Sequence, residues 1–381
     1  MLPASKLPEV GTTIFTVMSR LAAEHGAINL SQGYPDFDPP SPLVELVAAH
    51  MRGGANQYAP MAGWPALREA VAGKVRALYG RTVSADNEVT ITSGGTEALF
   101  CAVQAVVRAG DEVILLDPSY DSYEPAVRLA GGRAVRIPLQ RPRFDVDWDR
   151  VRDALSARTR LIVVNTPHNP SGAVWSREDL DALAGLLHDT RVLVLADEVY
   201  EHMVYDGRRH HSLLTHRELA ERAFVVSSFG KTYHATGWKV GYCVAPAALS
   251  LEFRKVHQFV QFAVATPLQA ALAEFLVACP QHHLELPAFY QRKRDRFCEL
   301  LAGARLGFEP AAGTYFQLVD YSAVSELPDV EFARWLTTEV GVAAIPISVF
   351  SEAPSPGRIV RFCFAKHDAT LEAAARKLRH I

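Results

Sequence analysis

Two lysines and a serine fall within one short glycine-containing span, FVVSSFGKTYHATGWKVGY, directly after an apolar run. Lys231, held at such a strand end, partly desolvated and close to the second cation Lys239, is driven toward the free amine, the form that condenses with a carbonyl. Ser228 and Lys239 add the means to bind an anion. The segment VLVLADEVY ends another apolar run with Asp197 and Glu198. A carboxylate at a buried strand end needs a cationic partner or a metal, and no metal-ligand set accompanies this one. A protonated ring nitrogen on a cofactor would satisfy Asp197, and a structural ion pair with an arginine would do so equally. Tyr200, three residues on, can place its hydroxyl in the same pocket.

Two further loops follow apolar runs. In SGGTEA, Gly94 and Gly95 let the backbone approach a ligand closely, and Thr96 opens a helix whose free N–H groups attract an anion such as phosphate. The same residues also make a plain tight turn between strand and helix. In TPHNPSG, Asn165 and Asn169 offer side-chain amides beside stiffening prolines, although Asn-Pro is also an ordinary turn dipeptide. Arg361 interrupts the apolar run IVRFCFA, where an unpaired guanidinium is costly and an ion-paired or solvated strand residue is the plain alternative.

These loops need a scaffold that brings strand ends together. The runs VTIT (89–92), VILLD (113–117), LIVVN (161–165), VLVLAD (192–197) and FVVSS (224–228) lack polar alternation, as strands buried on both faces should. They predict a parallel sheet. Stretches 96–108 and 177–188 carry apolar residues at helical spacing between them, which makes the core doubly wound α/β. In such sheets ligands sit beyond the carboxyl ends of the strands. From about 290 a charged helix, short strands at TYFQLVD and IVRFCFA and a last helix predict a smaller lobe. A helix-like piece at 12–24 and the irregular SQGYPDFDPP are expected to pack over it. The expected division is an arm at 1–44, a large domain at 45–288 and a small domain at 289–381.

The chain has 381 residues, 49% hydrophobic and 21% charged, enough for a large core and a second lobe. Its net charge of −3 supplies no basic field for nucleic acid or an anionic membrane. Five scattered cysteines with no CxxC pair indicate neither a disulfide framework nor a zinc site. With no visible signal peptide and no apolar run near the ~20 residues of a membrane span, a cytoplasmic protein is expected.

Taken together, SGGTEA, DPSYDSYEP, NTPHNPSG, ADEVY and SSFGKTYHATGWKVGY resemble, in order and spacing, the fold type I, pyridoxal-phosphate-dependent aminotransferases of classes I and II. Through LSQGYPDFDPP, NQYAPMAGWPALREA and VRFCFAK the chain is similar to the methionine, glutamine and kynurenine branch, especially bacterial methionine aminotransferases. The resemblance implies a large domain with a mostly parallel central sheet, a smaller domain built from both chain ends, and a homodimer. It implies that Lys231 is the Schiff-base lysine that also moves the substrate proton, and that Asp197 pairs with the pyridinium nitrogen. Asn169 and Tyr200 would hold the phenolic oxygen, with Asn165 a second candidate, and Tyr120 would stack on the ring. Gly95, Thr96, Ser228 and Lys239 would bind the phosphate, joined by Tyr58 of a neighbouring subunit. Arg361 would clamp the substrate α-carboxylate in bidentate fashion, aided by the Gly33 backbone.

For the substrate side chain the resemblance points to Phe15, Tyr34, Tyr58 and Phe262, residues that core packing would also explain. The segment FVQFAVAT holds no arginine of the kind aspartate aminotransferases use for a second carboxylate. Phe15 stands where kynurenine aminotransferases tend to carry Trp, which favours a flexible thioether. The implied reaction is ping-pong transfer of the amino group of methionine, and of aromatic amino acids, glutamine or kynurenine, to a 2-oxo acid. A β-lyase acting on cysteine S-conjugates at the same site is the nearest rival. A non-enzymatic cofactor-sensing domain is another, but it needs a DNA-binding segment that the residues before VTIT do not provide.

Overall fold

The computed structural model describes residues 4–352 and 357–381; residues 1–3, at the start of the expected arm, lie outside them. Twelve strands appear in chain order: β1 (Ile28–Asn29), β2 (Val89–Thr92), β3 (Glu112–Asp117), β4 (Arg133–Pro138), β5 (Thr159–Asn165), β6 (Leu193–Asp197), β7 (Ala223–Ser228), β8 (Gly241–Val244), β9 (Phe316–Asp320), β10 (Val342–Ala343), β11 (Ile345–Pro346) and β12 (Ile359–Cys363). Seven of them form the main sheet in the order β2-β8-β7-β6-β5-β3-β4.

All five apolar runs are strands of this sheet, and both of its faces are covered. Ile114, Ile162, Val164 and Val194 pack into one apolar cluster, while Val113, Leu115, Leu161, Val163 and Leu195 pack into another on the opposite face. That two-sided burial is why the runs show no alternation. One strand departs from the expected parallel arrangement: β8 lies between β2 and β7 and runs antiparallel to both. Its first two residues, Gly241 and Tyr242, close the lysine-bearing motif, where glycine and lysine mask a strand signal. The remaining neighbours are parallel, so the sheet is mostly parallel.

The helices form close to their predicted places, as Gly94–Val106 and Arg177–Leu187, the latter closed by a capping box between Ser176 and Asp179. The N-terminal helix Ile14–Glu24 starts at Thr13, whose hydroxyl accepts the Thr16 N–H. A second, antiparallel sheet runs β11-β12-β9, and β1 pairs in parallel with β10. Met18 and Leu30 from the arm share one core with Phe297, Phe316, Val342 and Leu371, so the two chain ends are packed together. The helix Gln281–Leu301 runs through the expected boundary at 288/289. No helix among the described residues is long and apolar enough to cross a membrane.

Candidate active site

The strand ends place the chemistry. In the parallel register Asn165 at the end of β5 lies beside Asp197 at the end of β6, and Asp197 lies beside Val226 of β7. Short turns then carry Asn169, Tyr200 and Lys231 around one cavity of about 310 Å³. Every cofactor and substrate residue expected from the sequence lines it except Tyr34, Tyr58, Phe262 and the second candidate Asn165.

Asp197 is 4% exposed, and among the described residues no Lys, Arg or His nitrogen lies within 4.0 Å of its carboxylate. The arginine ion pair that would have explained it as structural is therefore not there. Oδ2 accepts the Tyr123 hydroxyl at 2.7 Å and Oδ1 the Val199 N–H at 3.3 Å. Burial pushes the carboxyl up to about 6, against the pull of those two donors.

Lys231 sits in the single-turn helix Phe229–Thr232 that follows β7. Its Nζ donates to the Tyr315 hydroxyl at 2.8 Å and to the Gly33 carbonyl at 3.1 Å. Burial brings its ammonium down to about 8, and Lys239 and Arg361 add repulsion. The cation partner expected from sequence is thus present, with a second one beside it.

The opening turn of the helix Gly94–Val106 supplies Gly95 and Thr96, faced by Ser228 and by Lys239. Gly94 adopts φ +76°, and a Cβ there would meet the Lys239 Nζ at 3.3 Å, so glycine is what lets lysine and helix N-terminus converge. Lys239 has no carboxylate within 4.0 Å among the described residues, leaving its charge for an anion. The helix itself is anchored from behind, where Cys101 and His257 both bond to Glu97 and Glu97 accepts the Ser93 N–H.

Across the cavity, Arg361 of β12 is 1% exposed. Nη1 donates to Asn169 Oδ1 at 2.5 Å and Nη2 to the Ser31 carbonyl at 3.3 Å, while Nε has no partner. Its guanidinium lies 3.8 Å from the Phe316 ring centroid, with Phe15 and Phe350 further out. Burial lowers its pKa from the usual arginine value, yet no carboxylate among the described residues stands within ion-pair distance. Such a cation, stacked on aromatics and left with an open N–H, is arranged for an incoming carboxylate. Gly33 lines the same side, and a Cβ on it would meet Phe316 at 2.9 Å.

Tyr120 and Tyr200 supply the remaining aromatic walls, and burial raises both hydroxyl pKa values, that of Tyr120 to about 12. Asn165 spends its amide on protein, donating to the Asp197 carbonyl at 2.8 Å and accepting the Asn169 N–H at 2.7 Å, so it orients the loop. Tyr58 is 81% exposed and Phe262 53%, packed edge to face at 5.1 Å outside the cavity. Tyr34 lies outside it too, its carbonyl accepting from Lys366. Sequence reasoning missed Tyr123, Tyr315, Phe316 and Gln32. The second tyrosine of DPSYDSYEP and the adjacent aromatics of TYFQLVD were the available signals.

The family model described as aminotransferase class I and II matches residues 25–378. The chain is 57% identical over 381 residues to methionine aminotransferase of Escherichia coli (strain K12), covering 100% of this chain and 99% of that one. It is 36% identical to human kynurenine–oxoglutarate transaminase 1, covering 99% and 98% of the two chains. The crystal structure of an Escherichia coli protein, described by its reactivity as having a methionine aminotransferase function, superposes with a TM-score of 0.98 at 57% identity over 100% of both chains.

Proposed function

The chain belongs to the class I and II aminotransferases and is a transaminase, and on that premise we propose that it moves the α-amino group of methionine to a 2-oxo acid by a ping-pong mechanism. Aromatic amino acids, glutamine and kynurenine are further donors in this reading. The observation that carries it is Arg361, a buried guanidinium without a carboxylate, facing the same cavity as a lysine whose pKa burial has lowered. The kinship with a methionine aminotransferase and the apolar wall formed by Phe15 and Phe316 support the thioether substrate.

The donor set fits pyridoxal 5′-phosphate: a buried carboxylate lacking a cation, an unpaired Lys239 at a helix N-terminus, and a lysine near its free-amine range. Gly95, Thr96, Ser228 and Lys239 would hold the phosphate, Asp197 the ring nitrogen, Tyr120 the ring face, and Asn169 and Tyr200 the phenolic oxygen. When bound, the cofactor supplies an aldehyde carbon for amine exchange and a ring that accepts electron density from the substrate α-carbon. Arg361 binds the α-carboxylate and, through its bond to Asn169 Oδ1, leaves the Asn169 amide N–H groups for the cofactor. Lys231 carries the proton from the α-carbon, and the Tyr315 hydroxyl and Gly33 carbonyl hold its Nζ when free.

Tyr58 and Phe262, exposed together with Phe259, support a homodimer in which Tyr58 reaches the neighbouring phosphate and Phe262 the neighbouring substrate. We take the arm, large domain and small domain at 1–44, 45–288 and 289–381 as its working division. The five free cysteines support a cytoplasmic setting.

Adding L-methionine to the cofactor-loaded protein without any oxo acid tests the reading. One equivalent of oxo acid per site, no ammonia and a cofactor left carrying the amino group are the expected result. Ammonia release with a β-substituted substrate preferred would mark a lyase instead, and an unchanged cofactor spectrum would remove methionine as donor.

A further inference from the structure

Tyr123 opens the helix Tyr123–Leu129, is 4% exposed, and donates its hydroxyl to Asp197 Oδ2 at 2.7 Å. Its ring meets Tyr120 edge to face at 5.7 Å, so one short segment delivers both a wall of the cavity and a donor behind it. On the other oxygen of Asp197 the Val199 N–H is the partner, at 3.3 Å. No cation among the described residues is within ion-pair distance. The carboxylate is therefore kept charged and fixed in orientation by two neutral donors, of which the tyrosine is the shorter contact.

We propose that Tyr123 is a positioning residue for the transamination, holding Asp197 as the ionised, fixed counter-charge for the cofactor's ring nitrogen; this rests on the aminotransferase reading above. A buried carboxylate stripped of its best donor takes up a proton, and a neutral acid no longer favours a cationic ring nitrogen. Burial raises the Tyr123 pKa well above the usual tyrosine value, with the Asp197 charge adding to it, so the hydroxyl keeps its proton and remains a donor.

The test compares dissociation constants, by equilibrium dialysis, for pyridoxal phosphate and for its analogue with CH in place of the ring nitrogen. Wild type is expected to bind the nitrogen-containing cofactor more tightly. Tyr123→Phe is expected to shrink that preference about ten- to hundredfold, the loss of one hydrogen bond to a charged group, while affinity for the analogue stays within about twofold. An equal weakening toward both cofactors would mean that Tyr123 only supports packing, and would overturn the proposal. A wild type without preference would instead remove the Asp197 reading on which it rests. Should Tyr123→Phe fail to fold, Tyr123→3-fluorotyrosine keeps the ring and strengthens the donor. The preference then widens, and an unchanged preference overturns the proposal.

Discussion

In the proposed role Lys231 would react as a free amine, and the sign of its pH dependence follows from where it sits. Burial lowers its pKa to about 8 from the ordinary 10.5, so the ammonium form prevails below that point and the amine above it. At pH 7 roughly one molecule in ten carries the free amine, several hundred times the share of a solvated lysine. Covalent uptake of pyridoxal phosphate by the cofactor-free protein should therefore speed up about tenfold per pH unit and level off above about 8. Stopped-flow absorbance over pH 6–10 checks this, and a rate still climbing at pH 10 would mean a solvated lysine. The buried lysine, the buried carboxylate and the strand arginine were legible from residue type and place: each is a charge where the sequence is otherwise apolar. Tyr123 and Tyr315 were not, because a tyrosine in a motif has no role until the fold selects the partner of its hydroxyl.

Among the elements, the apolar runs were read to within a residue or two because burial on both faces leaves an unbroken signal. The missed strands had reasons of their own. β4, RAVRIP, lies at the sheet edge with Arg133 exposed and Arg136 paired with Asp117 and Glu124, and β8 has four residues, of which the first two close a motif. Behind the cavity a second constraint ties elements that no pattern links. Glu201, next to Tyr200, accepts Lys74 Nζ at 2.7 Å, the Tyr242 hydroxyl at 3.0 Å, and the hydroxyls of Tyr79 and Ser227. The helix Pro65–Tyr79, the strands β7 and β8 and the turn after β6 thus meet on one buried carboxylate. The Lys74 charge holds that carboxyl well below the usual range even though burial opposes it. Glu201→Ala leaves Lys74 buried without a counter-charge and should cost about 3–5 kcal/mol of stability. Denaturant titration measures the loss, and adding Lys74→Met should recover part of it.

For the molecule as a whole, the packing of the two chain ends was foreseen from the smaller lobe's short strands and the irregular arm. The roles expected of Tyr58 and Phe262 belong to the homodimer reading, in which both would face a second copy. If Tyr58 serves the neighbouring site, Tyr58→Ala and Lys231→Ala proteins are both poor catalysts, yet refolding them as a mixture makes hybrid dimers with one intact site each. Activity should rise well above either parent, by mixing assay, and no rise would place Tyr58 within its own subunit. A last consequence concerns time. The arm is stitched to distant chain: Ile28 and Asn29 register with Val342 and Ala343, and the Leu30 carbonyl accepts the Cys363 N–H. Some three hundred residues must be translated before those partners exist, roughly 15–60 s at 5–20 residues per second. Through that interval Met18 and Leu30 have not met Phe316, Val342 and Leu371 of their shared core, and Arg361, proposed to hold the substrate carboxylate, has yet to emerge. A nascent chain holds every strand of its main sheet once β8 is made at Val244, while the arm and the proposed substrate arginine wait for the last stretch of synthesis.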